Sequence, residues 1–372
     1  MTMDLQQLRM AIDKIDGDLV ALIERRMELA RQVADYKRQN HLPILDAGRE
    51  QVVVERAESR TGDPALRPAV RRIVESLMAE SRLLQQDLLA DTPAPNPAPN
   101  GAVAYLGPAG SFSHEAVLRC FGTGVALLPA ASFGQIAEDV AEGRAAAGLL
   151  PVENTLTGAI HQAGDLLRGG SLHICGEVVL PVRHCLLALP GATMEEITTV
   201  LSHPQPLEQC AGTLKRLGVA TQARASTADA AREVAQLGDR TLAAIGSAQA
   251  GALYGLEPLA KDIQDNSANY TRFAVVAAGE AVPQPGADKI SIVFAVEHRP
   301  GTLYGTLRAF ADRGVNILNL VSRPIAGAPW QYSFHMDFEG RLGERKVDEA
   351  LAEAARHCRS LTVLGNYRGW PQ

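Results

Sequence analysis

A single arginine interrupts the apolar stripe at the head of this 372-residue chain. Leu5, Leu8, Ile12, Ile15, Leu19, Leu22, Leu29, Val33 and Tyr36 recur at alternating steps of three and four, the period of one long helix, and Arg26 falls in the same series. A buried arginine needs an anionic partner, either a glutamate of its own bundle or an anionic ligand. Lys37 lies further along the same helix. A second helical stretch opens with Asp46, Arg49 and Glu50 at one-turn spacing, and Ser81 and Gln85 share one face of a third. Polar groups gathered in a small apolar bundle suit a pocket for a polyanion better than a core. Arg9 and Arg26 are seventeen residues apart, about 25 Å along a helix and too far for both to grip one small dicarboxylate. If both serve one site, two chains must share it. A first helix of about 50 Å also exposes more apolar stripe than two shorter helices cover, which favours an intertwined dimer.

A second set of chemistry-bearing residues sits at the ends of strand-like runs further on. Val103–Leu106 reads as a strand and leads into the Gly-rich turn 107–114, where Ser111, Ser113 and the backbone N–H groups at a helix start could receive an anion, or form a plain strand-to-helix turn. Glu153, Asn154 and Thr155 with Gly158, then Ser202, His203, Gln205 and Gln209, then Ser247, then Asn269 through Thr271, Arg272 and Phe273 form further polar clusters. Such clusters at element ends are where α/β folds place ligands. Glu153 and His114 are possible proton sources, or hydrogen-bonded structural groups. His203 reads as a residue that fixes its loop. Two more motifs close the set, Gly301-Thr302-Leu303 after Arg299-Pro300 and Ser322-Arg323-Pro324.

The elements that must position these groups divide at two places. Residues 91–100, rich in proline and polar residues without apolar period, read as an extended linker, and 282–288 carries a second Pro/Gly break. Domains are expected at 1–91, 102–280 and 288–372, with 92–101 as linker. The first reads as helices only: one long helix, a second from Asp46 to Gly62, and a third from Asp63-Pro64 to about Leu89. The middle alternates short strands and helices. The last reads βαββαβ, with strands at 290–296, 315–322, 330–338 and 361–364. With 46% hydrophobic and 21% charged residues and a net charge of −6, the composition is that of a soluble globular protein and disfavours nucleic acid as partner. No apolar run reaches membrane-spanning length and no signal-peptide core opens the chain, so a cytoplasmic address is expected and no membrane partner. Five cysteines without a CxxC pair indicate reduced thiols and no zinc site.

The residues Leu8-Arg9, Glu24-Arg25-Arg26, Lys37, Pro43 through Asp46, Arg49-Glu50 and Ser81 through Gln85 resemble the all-helical chorismate mutase domain of bifunctional chorismate mutase–prephenate dehydratases. The middle motifs, in their order, resemble the prephenate dehydratase domain, a two-lobed α/β fold like periplasmic binding proteins with substrate in the cleft. The last segment resembles the ACT regulatory domain, an α+β fold. The resemblance implies conversion of chorismate to prephenate and of prephenate to phenylpyruvate, without cofactor or metal, in a homodimer or higher homo-oligomer. It implies that Arg26 and a partner chain's Arg9 hold the substrate carboxylates and that Lys37 and Gln85 bind the ether oxygen. Asp46 and Glu50 would orient the ring hydroxyl, with Arg49 and Ser81 completing the pocket. Thr271 would polarise the departing hydroxyl, while Arg272 holds a carboxylate or braces the loop. Ser111, Ser113, Glu153, Asn154, Thr155 and Phe273 would line the cleft. Gly301, Thr302, Leu303, Ser322, Arg323 and Pro324 would bind phenylalanine, although Thr302 and Val321 depart from the family's usual alanine and glutamate. Three alternatives stay open: arogenate as the substrate, an aromatic-metabolite sensor without catalysis, and a C-terminal domain that dimerises without binding ligand.

Overall fold

The computed structural model describes residues 4–39, 47–90, 99–325 and 331–370, which form two compact units, one up to residue 94 and one from 95 to 370. Asp46 lies outside the described residues. The first unit holds α1 (Leu5–Gln39), α2 (Ala47–Arg60) and α3 (Arg67–Ala90). Asp63 caps a short 3-10 turn, Pro64–Leu66, rather than the third helix itself, its carboxylate accepting from the Ala65 N–H. Both α1 and α2 pack on α3, around Ala30, Ala34, Val54 and Met78. A fork of two 2.8 Å hydrogen bonds from Arg71 to Glu58 joins α2 to α3. This small core leaves the expected stripe uncovered. Leu5, Leu8, Ile12, Ile15, Leu19, Leu22, Leu29, Val33 and Tyr36 are each 44–65% exposed in the single chain.

The second unit begins with a lobe built from β1 (Ala102–Leu106), α4 (Phe112–Phe121), β2 (Ala126–Ala130), α5 (Phe133–Ala141), β3 (Ala147–Asn154), β4 (Gly158–Ala159), α6 (His161–Arg168) and β5 (Leu172–Pro181). The chain then crosses through residues 182–184 to a second lobe. That lobe comprises β6 (Cys185–Ala188), β7 (Thr199–Ser202), α7 (Pro204–Gln209), α8 (Ala211–Leu217), β8 (Ala220–Ala223), α9 (Thr227–Leu237), β9 (Leu242–Gly246), α10 (Ala248–Tyr254) and β10 (Glu257–Ala260). It returns through 261–269 to β11 (Tyr270–Ala278), which inserts antiparallel between β3 and β5, giving the order β2-β1-β3-β11-β5 with β4 on β3. The second sheet runs β10-β6-β9-β7-β8. The two crossing segments are hydrogen-bonded to each other, Val182 N–H to Asn269 O at 2.7 Å and Ile263 N–H to His184 O at 3.0 Å. Serine hydroxyls cap α4, α5, α9 and α10, each accepting from an N–H three residues on.

The C-terminal segment has the βαββαβ order: β12 (Lys289–Val296), α11 (Thr302–Ala311), β13 (Ile317–Pro324), β14 (Tyr332–Glu339), α12 (Arg345–His357) and β15 (Cys358–Tyr367). Its antiparallel sheet runs β13-β14-β12-β15. One face packs on its two helices through Ile290, Ile292, Phe294, Phe310, Phe338 and Val347. The other face does not stand apart from the first lobe. Val293, Leu364 and Tyr367 belong to the same buried cluster as Leu150, Ile174 and Val276. Gly365 permits this contact, because a Cβ there would stand 2.1 Å from the Ile174 carbonyl oxygen. No described helix is long and apolar enough to cross a membrane, and none of the five cysteines forms a disulfide.

Candidate active sites

In the helical unit, Arg26 and Ser81 meet. Arg26 Nη1 donates to the Leu77 carbonyl at 2.8 Å and to Ser81 Oγ. Ser81 Oγ in turn donates to Leu77 O at 2.7 Å. Neither partner is anionic, and burial lowers the Arg26 pKa, so among the described residues no carboxylate offsets the cost of burying this charge. Gln85, one turn beyond Ser81 on α3, is 8% exposed, and its Oε1 has no hydrogen-bond partner among the described residues. Lys37 is half-buried; Arg9 and Arg49 are exposed in the single chain. Glu50 is engaged by a residue that sequence reasoning did not single out, Arg82, whose Nη1 lies 2.5 Å from both carboxylate oxygens.

In the first lobe, the antiparallel pairing of β3 and β11 sets Asn154 opposite Thr271. Asn154 Oδ1 accepts from the Leu156 N–H at 3.0 Å and the Thr157 N–H at 3.2 Å. These backbone donors fix the amide, so the other end, Nδ2, is the donor to Thr271 Oγ1 at 3.0 Å and Asn269 Oδ1 at 2.8 Å. The orientation then propagates. Asn269 Nδ2 donates to Gln209 Oε1 at 3.3 Å, and His184 Nε2 lies 2.9 Å from the same oxygen and must donate to it. His184 is 1% exposed, and burial lowers its pKa, with the Gln209 contact opposing. Its ring is therefore neutral with the proton on Nε2. Thr155 pins the adjoining turn, its Oγ1 donating to Ala268 O at 2.7 Å and accepting from the Tyr270 N–H at 2.9 Å. Because Thr271 Oγ1 already accepts from Asn154, its own hydrogen remains available to another acceptor.

The other expected residues fall into different roles. Ser111 is the N-cap of α4, accepting from the His114 N–H at 3.2 Å, and Ser113 is buried. His114 Nδ1 accepts from the Gly110 N–H at 3.1 Å and the ring stacks on Tyr105; burial lowers its pKa. His203 caps α7 through Nδ1, holding its loop as expected. Phe273, expected against substrate, is 2% exposed and packs with Val103, Tyr105 and Leu149 in the core, because its position on β11 faces α4 beneath the sheet. Arg272 leaves the opposite face of the strand. Its Nε and Nη2 donate to Glu153 Oε2 at 3.1 and 3.0 Å, and its Nη1 lies 3.3 Å from Glu177 and 3.0 Å from Asp337. This is the bracing alternative, and Glu153 is its partner. Burial opposes the arginine's charge, but Asp337 and Glu177 foremost outweigh it and raise the pKa. Sequence reasoning missed Glu177, Lys289 and Asp337 here, and His184 in the amide chain.

In the C-terminal domain Gly301 has φ +84°, and Thr302 Oγ1 donates to Glu297 O at 2.7 Å. β13 alternates. Ser322 and Pro324 are exposed, while Arg323 turns to the first lobe, Nη2 donating to Asp165 at 2.9 Å. Arg323, Arg272, His335 and Asp337 line a cavity of about 70 Å³ between the sheet and that lobe, with room for several waters.

Three catalytic and regulatory modules thus follow one another, and comparison with known proteins places each in a class. Family models match residues 8–86 (chorismate mutase type II), 103–281 (prephenate dehydratase) and 290–356 (ACT domain). The bifunctional chorismate mutase/prephenate dehydratase of Aquifex aeolicus is 32% identical over 369 residues, covering 98% of both chains. The arogenate dehydratase/prephenate dehydratase 2 of Arabidopsis thaliana chloroplasts is 37% identical over 306 residues, covering 79% of this chain and 80% of that one. The structure of a prephenate dehydratase from Arthrobacter aurescens in complex with L-Phe aligns with a TM-score of 0.65 and 31% identity, over 72% of this chain and 89% of that one. The chain belongs to the bifunctional chorismate mutase/prephenate dehydratase family, joining an isomerase and a lyase of phenylalanine biosynthesis.

Proposed function

We propose that the two activities run on the two residue groups described above, within modules bounded at 1–91, 102–280 and 288–372. In the helical unit, Arg26 and Arg9 of a second copy hold the two carboxylates of chorismate, with Asp46, Arg49, Glu50 and Ser81 around the ring. Lys37 and Gln85 face the ether oxygen. A Claisen rearrangement transfers no proton and forms no covalent intermediate. Its needs are a compact conformer and stabilisation of negative charge on the breaking C–O bond. The uncovered stripe of α1 supports a dimer, since an apolar face this long is a protein interface in a soluble chain.

In the cleft, the ring carboxylate of prephenate departs as carbon dioxide, its bonding electrons enter the ring, and the ring C–O bond breaks to release hydroxide, which leaves as water once protonated. Thr271 polarises that departing hydroxyl; a threonine is too weak an acid to act alone, and aromatisation supplies the driving force. The observation that carries this reading is the fixed Asn154 amide, which commits Thr271 Oγ1 as acceptor and leaves its O–H to donate. Ser111, Ser113, Glu153, Thr155 and Arg272 build the surrounding loops. Phenylalanine acts as effector at Gly301–Leu303 and Ser322–Pro324, as the L-Phe complex of the Arthrobacter protein suggests for this fold. The protein works in the cytoplasm. A second reading, arogenate as the dehydratase substrate, is favoured by the Arabidopsis relative.

The test supplies chorismate alone and follows chorismate, prephenate and phenylpyruvate with and without phenylalanine. Transient prephenate followed by phenylpyruvate, suppressed by phenylalanine, is expected. Prephenate that accumulates unconverted, with arogenate consumed when offered, establishes the second reading. Untouched chorismate removes the assignment of the helical unit.

A further inference from the structure

Arg272 follows Thr271 in sequence and leaves the other face of β11, where it meets residues from three strands. Glu153 stands directly opposite on β3, Glu177 comes from β5, and Asp337 from β14 of the C-terminal domain. Lys289, the first residue of β12, closes the group with its Nζ 2.8 Å from Glu177 and 3.8 Å from Asp337. The C-terminal domain holds its own acid in place: Ser291 Oγ donates to Asp337 Oδ1 at 2.5 Å and lies 2.8 Å from the Tyr367 hydroxyl. Glu177, Lys289, Ser291 and Asp337 are all under 9% exposed. Two cations and three carboxylates thus meet between two domains, one peptide bond from the threonine, with Glu153 alone more than a third exposed.

We propose that Arg272 is a positioning residue for the dehydratase reaction, and that the C-terminal domain sets the place of Thr271 by holding Arg272 through Asp337. The inference rests on the role of Thr271 given above. A buried ion-pair group has few low-energy geometries, since each charge depends on its partners in a medium that screens little. Moving Asp337 therefore moves Arg272 or strands a charge, and the strand transmits the shift to the adjacent residue. A second ion pair joins the same two domains but does not touch β11: Arg323 to Asp165 at 2.9 Å. It separates a path to Thr271 from a general loosening of the interface.

The experiment compares Asp337→Asn, Asp165→Asn and Thr271→Val in the full chain, with prephenate as substrate and mutase activity as internal control. Asp337→Asn leaves two cations facing two carboxylates, so no cation is stranded and folding is expected. Its dehydratase kcat is expected to fall about tenfold, as displacements well under an ångström do, with KM within about twofold. Asp165→Asn is expected to keep both constants. An unchanged kcat in Asp337→Asn, a loss confined to KM, or an equal loss in Asp165→Asn overturns the inference. Normal kcat in Thr271→Val overturns the underlying reading instead, and is seen independently of the other two. Should Asp337→Asn fail to fold, Ser291→Ala keeps every ion pair while freeing Asp337 Oδ1; a kcat drop of about threefold is expected, and no drop overturns the proposal.

Discussion

Replacing Asn154 by aspartate keeps the side chain's shape but turns its donor end into an acceptor, which reverses the bond to Thr271 and removes those to Asn269 Oδ1 and the Tyr270 carbonyl. One aspartate oxygen can still accept from the Leu156 and Thr157 N–H groups, as Asn154 Oδ1 does at 3.0 and 3.2 Å. The other now faces Thr271 Oγ1 at 3.0 Å as an acceptor where Nδ2 was a donor. The threonine hydrogen turns toward this carboxylate and away from the cleft. Asn154 is 7% exposed, so water does not dilute the new bond, and breaking a hydrogen bond to a charged group costs about 1.5–3 kcal/mol. At about 1.4 kcal/mol per tenfold, the dehydratase kcat should fall by roughly 10- to 100-fold. Thr271→Val, which deletes the donor, should cost roughly 100- to 1,000-fold. The double variant should lose far less than the two effects combined, because no hydroxyl remains to be misdirected. A pH signature accompanies the change. Burial raises the pKa of the introduced carboxyl, and below that pKa its O–H donates to Thr271 as the amide did, so the loss should shrink as pH falls. Prephenate turnover by the single and double variants, with the mutase rate as control, decides it. A single-variant kcat within about threefold of the parent, or a double variant carrying both losses in full, refutes the reasoning.

Arg26→Ala or Lys37→Ala should lower mutase turnover by about 100-fold or more and spare the dehydratase; a near-normal mutase rate in either sinks its assignment. Leu22→Glu places a charge in the middle of the exposed α1 stripe, where each buried leucine contributes about 1.5–3 kcal/mol. It should weaken self-association, read by sedimentation, and take mutase activity with it while dehydratase persists. Stability of the second unit should fall with acid. Burial lowers the pKa of His184 and of His335 below the unfolded value, near 6.5. The unfolded chain therefore binds protons that the folded one does not. Stability is complete above about pH 6.5 and declines below it, by up to about 1.4 kcal/mol per pH unit for each histidine. Thermal midpoints between pH 7.5 and 5.5 measure this, and a midpoint that does not drop over that range refutes it.

What the sequence reveals of this molecule follows the reach of its local patterns. The α1 stripe and the βαββαβ order are legible because helical and strand periods repeat over short windows. Ser111 misleads, since a serine before a helix reads alike as an anion site or as an N-cap, and here it caps α4. Phe273 misleads because it shares a motif and a strand face with Thr271, yet two residues further into the sheet that face is covered by Val103, Tyr105, Leu149 and α4. Lys289 precedes the apolar run at 290–296 and is not singled out by it, yet it is 6% exposed against Glu177. No short-range signal could pair it, for its partner lies 112 residues earlier.

The same alternation explains why one strand can serve two domains. β11 is placed between β3 and β5, so its backbone is held on both sides, and only its side chains are free to differ between faces. Thr271 takes the side with Asn154 and the amide chain; Arg272 takes the side with Asp337 and the C-terminal sheet. Any separation of these roles along the chain would pass a displacement through flexible loop. Adjacent residues on a paired strand are instead joined by a planar peptide between two fixed backbone positions, so a change that tilts one tilts the other. That coupling needs no movement of the lobes against each other, and it acts at the threonine before it reaches any other part of the cleft.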